Sequence, residues 1–347
     1  MSFQREIIDW YLINKRALPW RNTTDSYVIW LSEIILQQTR VEQGLPYFSR
    51  FLENFPTVKD FANASEDEVL KLWQGLGYYS RGRNMRYTAQ EVMSVHNGIF
   101  PTAYNELIKL KGVGDYTAAA ISSFSANEAH AVLDGNVFRV LARYFGIEEP
   151  INSATGKKTF SKLANELIVG QTPSLYNQAI MEFGALQCKP KSPKCECCPL
   201  MISCFAFTHQ QVHHLPVKLK KGKIRERWFN YFVVAQKDTI LMKQRQPGDI
   251  WQKLYDFPLL ETTGPSDFDN LQLSSMAKKW FGNEVVIRPV SSKKHLLSHQ
   301  IIYVRFFVLE NYMINFNLLT EIKSVLLADF KALPHPKVIG DFIEVYL

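Results

Sequence analysis

Four of the five cysteines, Cys188, Cys195, Cys198 and Cys204, lie close together, with six, two and five residues between successive thiols. Four thiolates brought together repel one another unless a metal ion or cluster neutralises them, so this spacing points to a metal centre. Spacing alone leaves two options open, an iron–sulfur cluster and a four-thiolate zinc site. Lys189, Lys191 and Lys194 sit inside the first loop of the array, where a rigid scaffold would present them to an anion. Cys197 is left over, and its default is a surface thiol.

Two carboxylates come next. Glu33 falls in an apolar segment one turn after Ile29 and Trp30. A carboxyl beside an indole is poorly solvated, which raises its pKa and suits a general acid, whereas a solvated surface glutamate would do no chemistry. Asp134 precedes a well-patterned helix, which by itself is an N-cap signature; only a partner acid would give it a second role. Between them, Gly112 and Gly114 in Leu110-Lys-Gly-Val-Gly114 mark a tight turn that opens a helix. Backbone N–H groups at such a turn can hold a phosphate without reading bases, and Lys109 and Lys111 precede it.

The elements that must position these groups follow from periodicity. Apolar residues recur at helical spacing from residue 5 to about 205, as in Ile7, Ile8, Tyr11 and Leu12, or Val137, Val140, Leu141 and Tyr144. After Phe207 the composition changes to a polar basic connector that includes His213, His214, Lys218, Lys220, Lys221, Lys223, Arg225 and Arg227. Strand-like runs follow at 229–235, 239–243 and 303–309, with a helix near 274–281 and a last helix through Val338, Phe342 and Val345. The expected organisation is a helical domain at 1–207, a basic linker at 208–227 and a mixed α/β domain at 228–347.

Length and charge bound the rest. At 347 residues, 46% hydrophobic and 21% charged, the chain has the composition of a folded two-domain protein rather than a disordered one. Forty Lys and Arg against 33 Asp and Glu give +7, which favours an anionic partner without identifying it. With no apolar run long enough for a membrane span and no signal-peptide core, a cytoplasmic, DNA-associated location and no membrane partner are expected.

Taken together, six segments resemble the helix-hairpin-helix DNA glycosylase superfamily and, within it, the adenine DNA glycosylases of the MutY family. They are Leu18-Pro-Trp-Arg21, Trp30-Leu-Ser-Glu-Ile-Ile-Leu-Gln-Gln-Thr39, Gly75-Leu-Gly-Tyr-Tyr-Ser-Arg81, Leu110-Lys-Gly-Val-Gly114, Leu133-Asp-Gly-Asn-Val137 and the four-cysteine array. The resemblance implies an α+β multidomain fold: an all-α core with a [4Fe-4S] cluster on the four cysteines, and a Nudix-like α/β C-terminal domain that recognises 8-oxoguanine. It places the proton donor at Glu33, the carboxylate that stabilises the sugar cation at Asp134, and an orienting partner at Asn136. It puts Gln38 and Tyr78 at positions that wedge the duplex, Arg21 and Glu182 at the adenine pocket, and Ser298 and His299 in the recognition loop, read here as His295–His299. Leu297 stands where the family has phenylalanine.

Bifunctional relatives carry a nucleophilic lysine where this chain has Tyr116, and a phenol forms no Schiff base. Phe138 occupies another position that is lysine in some relatives. The expectation is a monomeric, monofunctional enzyme that flips adenine out of double-stranded DNA opposite 8-oxoguanine or guanine and hydrolyses its glycosidic bond. No acidic Nudix signature is present, so the second domain is expected to bind rather than hydrolyse. The rivals are an endonuclease III-like glycosylase with lyase activity and a non-catalytic DNA-damage binding protein.

Overall fold

The computed structural model describes residues 2–220, 224–265, 271–297, 299–315, 317, 319 and 322–347. In chain order the helices of the first part are α1 (Phe3–Asn14), α2 (Ser26–Ile35), α3 (Val41–Asn54), α4 (Val58–Asn63), α5 (Glu66–Leu72) and α6 (Ser80–Val95). They continue with α7 (Tyr104–Leu107), α8 (Asp115–Ala126), α9 (Gly135–Phe145), α10 (Ala154–Ile168), α11 (Pro173–Leu186) and α12 (Phe205–Thr208). The chain divides into two compact units, residues 1–64 with 84–221, and residues 65–83 with 222–347.

In the first unit, α9 runs through the interior with α1 and α11 against it, and Val137, Val140, Leu141, Tyr176, Ile180 and Phe183 are buried in one core. The helical period puts those side chains on one stripe of each helix. A second aromatic group, Trp30, Phe48, Phe51, Phe55 and Phe61, packs under α2, and Phe55 stacks on Phe61 at 4.8 Å. This packing pins both helices from which the candidate acids project.

The second unit contains β1 (Arg225–Val233), β2 (Ala235–Gln236), β3 (Thr239–Gln244), β4 (Tyr255–Asp256), β5 (Leu259–Thr262), α13 (Leu271–Phe281), β6 (Val286–Leu296), β7 (Gln300–Glu310), β8 (Ile322–Leu326), α14 (Leu327–Phe330) and α15 (Lys337–Tyr346). One sheet has the order β5-β1-β7-β6, with β1 parallel to β7 and the outer pairs antiparallel. A second sheet joins β2, β3 and β4, with β8 on β3. Phe229, Tyr231, Phe306 and Phe342 fill the space under α15. The three sequence-predicted strands correspond to β1 and β2, β3 and β7. Strand β6 is an addition: most of its residues are exposed, so it carries no apolar alternation to read.

Candidate active site

Helix α2 begins at Asp25, whose carboxylate accepts from the amides of Tyr27 and Val28. Its apolar stripe faces the core on nearly every side, and this buries Glu33 to 7% exposure. Burial pushes the Glu33 carboxyl up to about 7, as does the nearby Asp134 charge; a hydrogen bond from Tyr116 and the Arg21 charge oppose the rise. The Tyr116 hydroxyl donates to Glu33 Oε2 at 2.7 Å. Burial and the two carboxylates hold the Tyr116 phenol well above its ordinary range, so it stays a neutral donor.

Asp134 caps α9, and its Oδ1 accepts from the backbone amides of Asn136 and Val137 at 2.8 Å each. Its Oδ2 accepts from Asn136 Nδ2 at 2.7 Å. The Asn136 amide is itself oriented by Arg139, whose Nη2 donates to Asn136 Oδ1 at 2.9 Å while Nε donates to Cys188 O at 2.7 Å. Burial pushes Asp134 up, against these N–H donors and the Arg139 charge. One carboxylate oxygen thus serves the helix cap while the other accepts from the Asn136 side chain. A Cβ on Gly184 of α11 would come within 2.7 Å of Asn136 Cβ, so glycine there permits the close approach.

Glu33, Asp134, Asn136, Tyr116, Arg21, Glu182 and Gln38 all line one cleft of about 1200 Å³ in the first unit. Glu182 is 1% exposed and is gripped by two arginines. Arg16 donates from Nε and Nη2 at 2.9 and 2.7 Å, and Arg21 from Nη1 and Nη2 at 3.0 and 2.8 Å. Burial would raise the Glu182 carboxyl, but these bonds outweigh it and hold it down at about 2. Arg16 was not among the sequence candidates; nothing in its local spacing distinguishes it from a surface arginine. Gln38 follows α2 at φ +56°, exposed at the cleft.

The hairpin joins α7 to α8. Gly112 has φ +81°, and Thr88 Oγ1 donates to Lys111 O at 2.7 Å. Gly114 is the N-cap residue of α8 and gives that helix no side-chain cap. Phe138 packs against Phe160 at 5.1 Å.

Cys188, Cys195, Cys198 and Cys204 ring one cavity together with Arg143, whose Nη1 donates to Cys188 Sγ at 3.4 Å. Burial raises the thiols of Cys195, Cys198 and Cys204, that of Cys198 to about 12, and the neighbouring thiols raise them further. Among the described residues, no three His, Cys, Asp or Glu side chains converge as a site for one metal ion requires. Cys197 is exposed and faces Lys194 O.

In the second unit, the turn after β6 is shorter than the sequence reading placed it, because His295 and Leu296 belong to the strand. Leu297 packs partly buried against the core, and the exposed leucine is Leu296, at 68%. The Leu297 amide donates to Gln300 O at 2.9 Å. His299 is exposed, with its ring 6.5 Å from that of Tyr78. Ser298 lies outside the described residues.

Residues 31–166 match the HhH-GPD superfamily of base excision DNA repair proteins, and residues 230–345 match the NUDIX domain. An adenine DNA glycosylase of Buchnera aphidicola subsp. Baizongia pistaciae is 36% identical over 309 residues, 88% of this chain and 85% of its own length. The enzyme of that name from Buchnera aphidicola subsp. Schizaphis graminum is 40% identical over 265 residues, covering 75% of each chain. The chain belongs to the adenine DNA glycosylase family. It is a DNA N-glycosylase of base excision repair, with a helical glycosylase core followed by a Nudix-like α/β domain. The solved structure of a thermostable thymine-DNA glycosylase shares 29% identity and a TM-score of 0.56, covering 60% of this chain and 95% of that one. No helix among the described residues of the glycosylase is long and apolar enough to cross a membrane.

Proposed function

We propose that this glycosylase removes adenine mispaired with 8-oxoguanine, and less efficiently adenine opposite guanine, from double-stranded DNA by hydrolysis without strand cleavage. The observation that carries the reading is the pairing of a buried carboxyl raised to about 7, Glu33, with a carboxylate held by three N–H bonds, Asp134, on one cleft. Adenine leaves poorly as an anion. Glu33 delivers its proton to N7 of the flipped base, and the glycosidic bond breaks toward an oxocarbenium ion. The Asp134 charge stabilises that cation or captures it, and Glu33, now a base, then activates water. Arg16, Arg21 and Glu182 furnish the polar wall of the adenine pocket, while Gln38 enters the space the base vacates.

Tyr116 has no amine, so it cannot open the sugar by Schiff-base formation; its part is to hold Glu33 in place. The hairpin with Gly112 and Gly114 offers backbone amides to a phosphate. The four cysteines ring one cavity, and this set of four thiol donors fits the [4Fe-4S] cluster. The cluster would supply a structural cross-link for the loop bearing Lys189 and Lys191, both of which line the cleft. In the second unit Ser298 and His299 inspect the base opposite the adenine while Tyr78, beside His299, wedges the duplex there, and the domain binds without hydrolysing nucleotides.

Free adenine release from a duplex containing 8-oxoguanine, with borohydride trapping in parallel, tests this reading. The expected result is base release without covalent trapping, from protein whose absorbance carries an iron–sulfur band. Efficient trapping with strand scission would overturn the monofunctional assignment.

Because the acid must carry its proton, single-turnover release should fall about tenfold per pH unit above pH 7. Tyr116→Phe removes a bond that lowers the Glu33 pKa, so the alkaline limb should move up by about one pH unit. A pH–rate profile of both proteins checks it; a limb that stays in place would show that Glu33 does not set it.

A further inference from the structure

The turn that carries Tyr78 is built under strain. Gly75 and Gly77 take φ +101° and +72°, and Tyr78 follows at +47°, a conformation that costs a non-glycine residue on the order of 1 kcal/mol. Two side chains close the turn. Trp73 Nε1 donates to Gly77 O at 2.9 Å, and Arg81 Nη2 reaches Leu76 O and Gly77 O at 3.3 and 3.4 Å. The Arg81 guanidinium also lies 4.9 Å from the Trp73 ring centre. The result is an exposed aromatic ring on a fixed pedestal, facing His299.

The base of that pedestal is tied to the C-terminal part of the same unit by a closed ring of hydrogen bonds. Lys71 Nζ donates to Gln74 Oε1 at 3.1 Å and to Leu333 O at 3.4 Å. Gln74 Nε2 meets His335 Nε2 at 2.7 Å, and His335 Nδ1 meets Leu333 O at 2.8 Å. A carbonyl can only accept, so Nδ1 carries the imidazole proton and bare Nε2 accepts from the Gln74 amide. Lys71 fixes the amide in the required sense. His335 is 5% exposed and stacks on Phe330 at 4.2 Å. Burial lowers its pKa to about 4, so the ring stays a neutral acceptor. A Cβ at Gly340 would come within 2.7 Å of His335 Nε2, so the backbone of α15 is also shaped around the imidazole. Arg83, on the far side of the turn, adds a bond from Nη1 to Gln252 O at 2.9 Å.

We propose that Gln74, Lys71 and His335 are positioning residues for the check of the base opposite the adenine, holding the strained Tyr78 turn in register with His299. The proposal rests on the reading of Tyr78 and His299 given above. Because Glu33 and Asp134 belong to the other unit, loosening this ring should change discrimination between opposite bases and leave the chemistry of base release alone.

The test uses the full-length enzyme and the variants Gln74→Ala and Lys71→Ala, both at partly exposed positions. Single-turnover adenine release is measured opposite 8-oxoguanine and opposite guanine, with hydrogen exchange over residues 74–81. Gln74→Ala should lose about tenfold of the preference for 8-oxoguanine, keep its rate opposite guanine within about twofold, and exchange faster across the turn. The Lys71→Ala/Gln74→Ala double variant should be no worse than Gln74→Ala, because both break one ring. An intact preference, or exchange that does not change, overturns the proposal. Equal losses opposite both bases do so as well, since a merely structural role predicts them. A wild-type enzyme without preference for 8-oxoguanine would instead overturn the reading of Tyr78 and His299, and this proposal with it.

Discussion

Glu33→Gln is expected to lower single-turnover adenine release by about 10³- to 10⁴-fold, the upper range for loss of a positioned general acid, while duplex binding persists. The substitution preserves shape and leaves Tyr116 an amide oxygen to which it can donate. Stability provides an independent reading. The Glu33 carboxyl titrates at about 7 in the folded chain against 4.5 when solvated, so folding takes up a proton between those pH values. Stability owed to the protonated form is therefore lost as pH rises from 4.5 through 7, on the order of 3 kcal/mol in all. Glutamine has no charge to bury. At pH 8 the variant should melt above the wild type while releasing adenine only at the reduced rate, and denaturant titration beside the rate assay checks both. An inactive variant that is also less stable would point to lost packing rather than a lost proton.

The same residue shows what a sequence can and cannot reveal. Trp30 one turn before Glu33 makes a poorly solvated acid readable, because helical spacing brings i and i+3 together. Tyr116, 83 residues away, is legible as a missing lysine but not as the donor to Glu33, since that pairing depends on how α8 packs beside α2. Arg21 lies in a quoted motif and Glu182 at a position the resemblance assigns, whereas Arg16 becomes informative only when three side chains meet in one buried ion group. Periodicity identifies α5 as a helix without saying which unit it packs against, and it gives no hint that Gln74 would face His335. Leu297 and Leu296 make the limit sharper still. Where β6 ends decides which leucine is the last strand residue and which begins the turn, and its mostly solvated sequence does not specify that end point.

Asp134→Asn separates the two roles that coincide at the start of α9. Asparagine caps helices about as well as aspartate, so the amides of Asn136 and Val137 keep an acceptor and stability should change by about 1 kcal/mol or less. What disappears is the negative charge, and with it the electrostatic stabilisation of the sugar cation. Removal of one preorganised group of this kind costs on the order of 10²- to 10³-fold in rate. A further penalty follows from geometry. Asn136 Oδ1 is held by Arg139, so its Nδ2 must point at residue 134 and would meet a second amide N–H₂ there. That repulsion should turn the new side chain, and Asn136→Ala should partly relieve it in the double variant. Single-turnover rates for the three proteins, with melting temperatures, test the argument. A variant that stays folded and retains most of its activity would leave Asp134 as a helix cap alone.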